Sequence, residues 1–185
     1  RTCNLLSMPV QDRPKVLDEL ISELASKAVV LCCSSTATNH PMWAHYAADH
    51  TGMLIGFDET NEYFSPSSGL KILKVAYREE RPRVYWTTLT GDDFLSVKSR
   101  DWAYEEEWRH ILPASRVTTS TKSGGLVRVP PDCIREVVLG FRTEPQHAQE
   151  LRRVLAANSS LAHIRVRRIV TSETDYRLDL GDILA

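Results

Sequence analysis

The sequence predicts an α+β fold: one domain over residues 1–185, with a mixed, mostly antiparallel sheet and a few packed helices. Three observations lead there. Apolar runs of strand length outnumber segments with helical periodicity. The strands do not alternate regularly with helices, as a doubly wound parallel sheet requires. The chain has 185 residues, 42% hydrophobic and 25% charged, which leaves room for a real core in an ordinary globular composition.

The elements follow in order. Pro14–Lys27 predicts a helix, because Val16, Leu17, Leu20, Ile21 and Leu24 recur at helical spacing and Pro14 suits a first turn. Ala28–Cys33 is a short apolar run that reads as a buried strand. Asn39 offers an N-cap and Pro41 a first-turn proline for a short helix through Asp49, ended by Gly52. Met53–Phe57 and Lys71–Tyr77 read as strands, the second followed by a polar turn, Arg78–Pro82. Asp92–Lys98 reads as a helical turn or two. Trp102–Leu112 reads as a strand stopped by Pro113, and Arg116–Gly125, rich in Ser, Thr, Lys and Gly, as a loop. Ile134–Phe141 is a strand, Glu144–Asn158 a helix carrying Leu151, Val154 and Leu155, and Ile164–Val170 and Tyr176–Leu180 closing strands.

Composition removes several function classes. A formal net charge of −1 gives no field that calls for nucleic acid or an anionic membrane. No apolar run has the length of a spanning helix, and Arg1–Val10 has no apolar core of a secretory signal. The opening Arg reads as the start of a fragment or processed form. Cys3, Cys32, Cys33 and Cys133 fit neither a redox C-x-x-C pair nor a zinc knuckle, and read as buried small hydrophobes of a reduced, cytoplasmic protein. His40, His45 and His50 fall five apart, which does not stack them on one helix face; no metal site is expected.

The most informative segment is Trp102–Arg109, W-A-Y-E-E-E-W-R. As a strand it places Glu105, Glu107 and Arg109 on one face, and Trp102, Tyr104, Glu106 and Trp108 on the other. Two neighbouring carboxylates raise each other's proton affinity while an Arg lowers it, so the face is a candidate site. An edge strand with its Glu residues in water is the alternative. In Pro41–Ala47, Met42, His45 and Tyr46 share a helical face, with Trp43 on the next; this is either a cleft wall or a core helix. Ser34 and Ser35 are either ligand donors or loop caps. Arg152, Arg153, His163, Arg165 and Arg167 form a mildly basic surface, either solvated or facing nucleic acid.

Taken together, C-C-S, P-M-W-A-H-Y-A-A-D-H-T-G-M-L-I-G-F-D, K-V-A-Y-R-E-E-R-P, K-S-R-D-W-A-Y-E-E-E-W-R and I-R-E-V-V-L-G resemble the bacterial domain-of-unknown-function family 2971 over roughly Val29–Leu180. Members of that family are found near phage-defence and mobile-element genes. Its usual opening, an aromatic-rich segment leading to an N-D-P-F-type motif, is absent here. The E-x-E element at Glu105 and Glu107 is similar to that of ADP-ribosyltransferases. That similarity implies a catalytic Glu107, with Glu105 as its helper orienting the acceptor. It further implies NAD as cofactor, held by Ser34, Trp43, His45, Tyr46, Lys98 and Arg109, and a protein or nucleic-acid acceptor in a toxin or phage-defence setting. The other expectations are a non-catalytic module that binds peptide, nucleotide or nucleic acid, and a metal-dependent nuclease or hydrolase whose clustered carboxylates hold Mg²⁺. In the enzyme, His45, Lys98, Glu105 and Glu107 converge in one cleft.

Overall fold

The structure is a computed structural model, and it describes residues 18–19, 22–23, 26–80, 95–121 and 124–184. The described residues form an α+β fold of mostly antiparallel sheets. The predicted helix at Pro14–Lys27 lies mostly outside them; residues 18, 19, 22, 23, 26 and 27 are helical.

Two larger sheets form the frame. The first has the order β1 (Ala28–Ser34), β6 (Glu107–Pro113), β3 (Lys71–Lys74), all antiparallel. The second has the order β11 (Leu178–Leu180), β10 (Arg165–Thr171), β9 (Ile134–Leu139), β2 (Met53–Phe57), with a parallel pair only between β10 and β9.

The second sheet carries apolar side chains on both faces. One face packs Val138, Ile169 and Leu178 against Trp43 of the short helix His40–Tyr46. The other packs Leu139 and Val166 against Ala148, Leu151 and Leu155 of the long helix Pro145–Ala156. Asn39 caps the short helix, its Oδ1 accepting from the Met42 N–H at 3.2 Å. That helix ends at Tyr46 rather than Asp49, because Ala48, Asp49 and His50 all take positive φ (47°, 53° and 66°). The run is held by the second sheet. The Arg142 N–H donates to the His50 carbonyl at 3.1 Å, and a Cβ on Gly140 would stand 2.0 Å from that same carbonyl. Strand β9 therefore stops at Leu139, short of the expected Phe141.

Three local expectations fail. The helical turns expected over Asp92–Lys98 hold only at residue 95: β5 (Val97–Ser99) is a strand, paired in parallel with β4 (Ala76–Arg78), and residues 92–94 lie outside the described residues. The Arg116–Gly125 loop is instead a hairpin of β7 (Val117–Thr121) and β8 (Gly124–Val127), because β-branched Val and Thr before a glycine pair favour strand pairing over an open loop. The Trp102–Leu112 strand begins only at Glu107. Residues Arg100–Glu105 form a 3-10 helix, and Glu106 adopts the left-handed conformation (φ 46°, ψ 48°). No helix among the described residues is long and apolar enough to cross a membrane.

Candidate functional site

The left-handed Glu106 sets the geometry. It turns the chain from the 3-10 helix into β6, so Glu105 ends one element and Glu107 opens the next. Both side chains nonetheless reach the same cation. Strand β1 fastens this corner. Ser34 Oγ donates to the Glu105 carbonyl at 2.7 Å, the Ser35 N–H donates to the Glu106 carbonyl at 3.2 Å, and Ser35 Oγ donates to the Glu106 carboxylate at 2.8 Å. Strand β4 supplies a further brace, since Tyr77 OH accepts from the Glu107 N–H at 2.8 Å.

Glu105 and Glu107 are buried, 3% and 5% exposed. Buried carboxylates need partners, and each has two or more. Lys98 of β5 lies between them, ion-paired to Glu105 Oε2 and 3.2 Å from Glu107 Oε2. Arg109 grips Glu107 with both arms of its fork, Nε to Oε1 at 2.7 Å and Nη2 to Oε2 at 3.2 Å. Its Nη1 donates to the Leu95 carbonyl at 3.0 Å, which fixes the guanidinium plane. Tyr46 OH donates to Glu105 Oε1 at 2.8 Å, although its ring is 63% exposed. Cys32 sits opposite Arg109 in the β1–β6 register, and its thiol donates to Glu107.

The electrostatics follow from these contacts. Burial pushes the Glu107 carboxyl upward, but the hydrogen bonds from Arg109, Cys32 and Lys98 outweigh it and hold the group down at about 2. Burial works against the charge on Lys98 as well, and the two carboxylates more than compensate, holding its ammonium above the ordinary lysine value. Burial, and then the Glu107 carboxylate, push the Cys32 thiol up to about 11. Its hydrogen bond to Glu105 and then burial raise the Tyr46 hydroxyl. The centre is thus an ion cluster of Glu105, Glu107, Lys98 and Arg109, rimmed by two hydroxyls and a thiol. Against its outer side stands an aromatic pair: Lys98 Nζ lies 4.9 Å from the centroid of the Trp102 ring, and that ring is 6.0 Å from Tyr104.

Of the residues expected from sequence, the structure brings Glu105, Glu107, Lys98, Arg109 and Tyr46 together. Ser34 stands beside them as a backbone latch, with its hydroxyl spent on the Glu105 carbonyl. Trp43 lies elsewhere: it is 3% exposed in the core, and its Nε1 donates to the Ala37 carbonyl at 2.7 Å. A ligand cannot reach its ring without opening the second sheet. His45 is exposed, 6.4 Å from the Tyr46 ring between centroids, and makes no hydrogen bond or ion pair with the carboxylates among the described residues. The expected convergence of His45 with Lys98 and the two Glu therefore fails for His45, because positions i and i+1 on a helix diverge by about 100°. Cys32, expected in the core, is exposed.

Sequence reasoning missed Tyr77, Cys32 and Trp102. Cys32 is two residues from Ser34 on a strand, and only the register with β6 reveals what it faces. Trp102 was expected on the face away from the carboxylates, which the 3-10 helix overturns. Separately, an apolar cleft of about 420 Å³ lies between Val29–Leu31 of β1 and Gly125–Val127 of β8. It contains none of the ion-cluster residues. No group of three or more His, Cys, Asp or Glu suited to a metal ion occurs among the described residues.

An α+β frame holding a buried Glu–Lys–Glu–Arg cluster is thus the class of protein at hand. Residues 42–110, which begin within the short helix and run past Arg109, match the model of the family described as "Protein of unknown function (DUF2971)". No curated protein and no solved structure matches it.

Proposed function

We propose that this protein transfers the ADP-ribosyl group of NAD, in the manner of an ADP-ribosyltransferase, with Glu107 as the residue that opposes the developing positive charge. One observation carries the reading: Glu107 is buried, ionised and locked in place by Arg109, so its charge is oriented before any substrate arrives. Pre-oriented charge in a dry setting stabilises a transition state without reorganisation.

NAD supplies the ADP-ribosyl group: nicotinamide leaves with the electron pair of the broken C–N bond, and the acceptor's nucleophile forms the new bond to the same sugar carbon and releases its proton to solvent. Glu107 opposes the cation that develops on the sugar, Glu105 orients the acceptor, and Arg109 and Tyr77 hold Glu107 still. The exposed part of Trp102, beside Lys98, offers a flat surface to a ring. A toxin or phage-defence role is the setting that the family resemblance implies.

A second reading has its own observation. Each carboxylate already has a cation against it, as in a structural ion network, and this suits a non-catalytic module that binds a nucleotide or peptide. Incubation of the full-length protein with labelled NAD and cell extract separates the two. Transfer predicts label on protein or nucleic acid. A folded protein that labels nothing and consumes no NAD refutes transfer and leaves the binding module.

A further inference from the structure

The Lys98 ammonium occupies an unusual seat. It is bounded by two carboxylates that are 3% and 5% exposed and by the face of an indole that is 38% exposed, with its nitrogen 4.9 Å from the ring centroid. Carboxylates on one side and an aromatic face on the other are the two surfaces that attract an organic cation most strongly. The lysine arrives on a separate short strand, β5, whose strand pairing is with β4 over only three residues. The contacts that hold the lysine are ion pairs to the two carboxylates and the approach of its ammonium to the ring face.

We propose that Glu105, Glu107 and Trp102 form a binding cage for an organic monocation, that Lys98 is its resident occupant, and that the matching ligand class is an alkylammonium or N-alkylpyridinium group. The inference stands on this geometry alone. It bears on the proposed transfer because the substrate named there carries an N-ribosylated pyridinium, which would enter the same cage as Lys98 withdraws.

The test is chemical rescue in the full-length protein. Lys98→Ala removes the ammonium and leaves the carboxylates buried without it, so its Tm falls. n-Butylammonium chloride, added at about ten times its Kd, raises the Tm of the variant by about 3 °C or more over an equal concentration of sodium chloride. n-Butanol, of similar shape but neutral, does not. N-Methylpyridinium gives the same rescue, and the rescue by either cation weakens at least about tenfold in apparent affinity when Trp102→Ala is added to Lys98→Ala. If Lys98→Ala is insoluble, refolding it with and without n-butylammonium supplies the same readout, as does Lys98→Met, which keeps the stem and omits the charge. Rescue by butanol as strong as by butylammonium overturns the proposal. So does failure of both cations to stabilise or refold either variant. Rescue without NAD consumption by the wild-type protein retains the cage and rejects the transfer reading; NAD consumption without rescue does the reverse.

Discussion

Substituting Glu107 by Gln tests the electrostatics of the centre with a side chain of nearly the same shape. The structure holds this carboxyl at about 2, against an ordinary value of 4.5. Each unit of such a difference corresponds to about 1.4 kcal/mol between protonation states, so the charged form is favoured by on the order of 3 kcal/mol in the folded chain. The direction of the pH effect follows. The folded value is depressed, so the stabilisation is complete above about 4.5 and is lost as pH falls from there through about 2. Glu107→Gln should therefore destabilise by about 3 kcal/mol at pH 7, lowering Tm by roughly 10 °C in a chain of this size. The gap to wild type should narrow steadily below pH 4.5. Urea unfolding of both proteins at pH 7, 5, 4 and 3 measures it. A gap that stays constant over that range, or is absent at pH 7, would refute the account of Glu107 as a charge locked by Arg109 and Lys98.

Other expectations follow from single residues. Cys32 is exposed yet held at about 11, by burial of its sulfur and then by Glu107; N-ethylmaleimide at pH 7.5 should modify it slowly, and faster in Glu107→Gln, as read by mass spectrometry of the Cys32 peptide. Glu106 has φ 46°, where a β-branched residue is strained; Glu106→Val should cost about 2 kcal/mol or more in urea unfolding, whereas Glu106→Asn stays within about 1 kcal/mol of wild type. His50 is buried, its Nδ1 has no hydrogen-bond partner among the described residues, and burial and then His40 lower its proton affinity. Its proton affinity is lower in the folded chain than in the unfolded one, so the unfolded chain takes up the proton first and stability falls as pH drops below about 6.5. Comparing Tm between pH 7.5 and 5.5 in wild type and His50→Phe checks this: the variant should lose less.

Much of the frame was legible because it rests on local chemistry. The short apolar runs became β1, β2 and β9, Asn39 capped its helix, and the periodic Leu151 and Leu155 faced the second sheet. The site was legible in composition but not in conformation. The W-A-Y-E-E-E-W-R run alternates as a strand does, yet its first part coils into a 3-10 helix, because Glu105 meets Tyr46 and Lys98 from that position and the left-handed Glu106 makes the corner. Sequence spacing does not reveal this: Tyr46 lies 59 residues away, and Lys98, seven residues off, comes from a separate strand. The β7–β8 hairpin was obscured for the opposite reason, since Ser, Thr and Lys are common to loops and to exposed strands. Trp43 illustrates the limit of helical faces: spacing places it beside Met42 and Tyr46, but only the packing of Val138 and Ile169 determines that it turns inward while Tyr46 turns outward.

The most direct measurement of the central claim is nicotinamide release. Full-length wild-type protein and Glu107→Gln, matched for folded concentration by circular dichroism, are incubated with NAD and an acceptor extract, and free nicotinamide is followed by chromatography. Replacing a full charge by an amide dipole at the developing cation removes on the order of 3 kcal/mol of transition-state stabilisation, about a hundredfold in rate. The account predicts release by wild type and a loss of about a hundredfold or more in Glu107→Gln. Folded wild-type protein that releases no nicotinamide, or a Glu107→Gln variant that releases it at the wild-type rate, would contradict it.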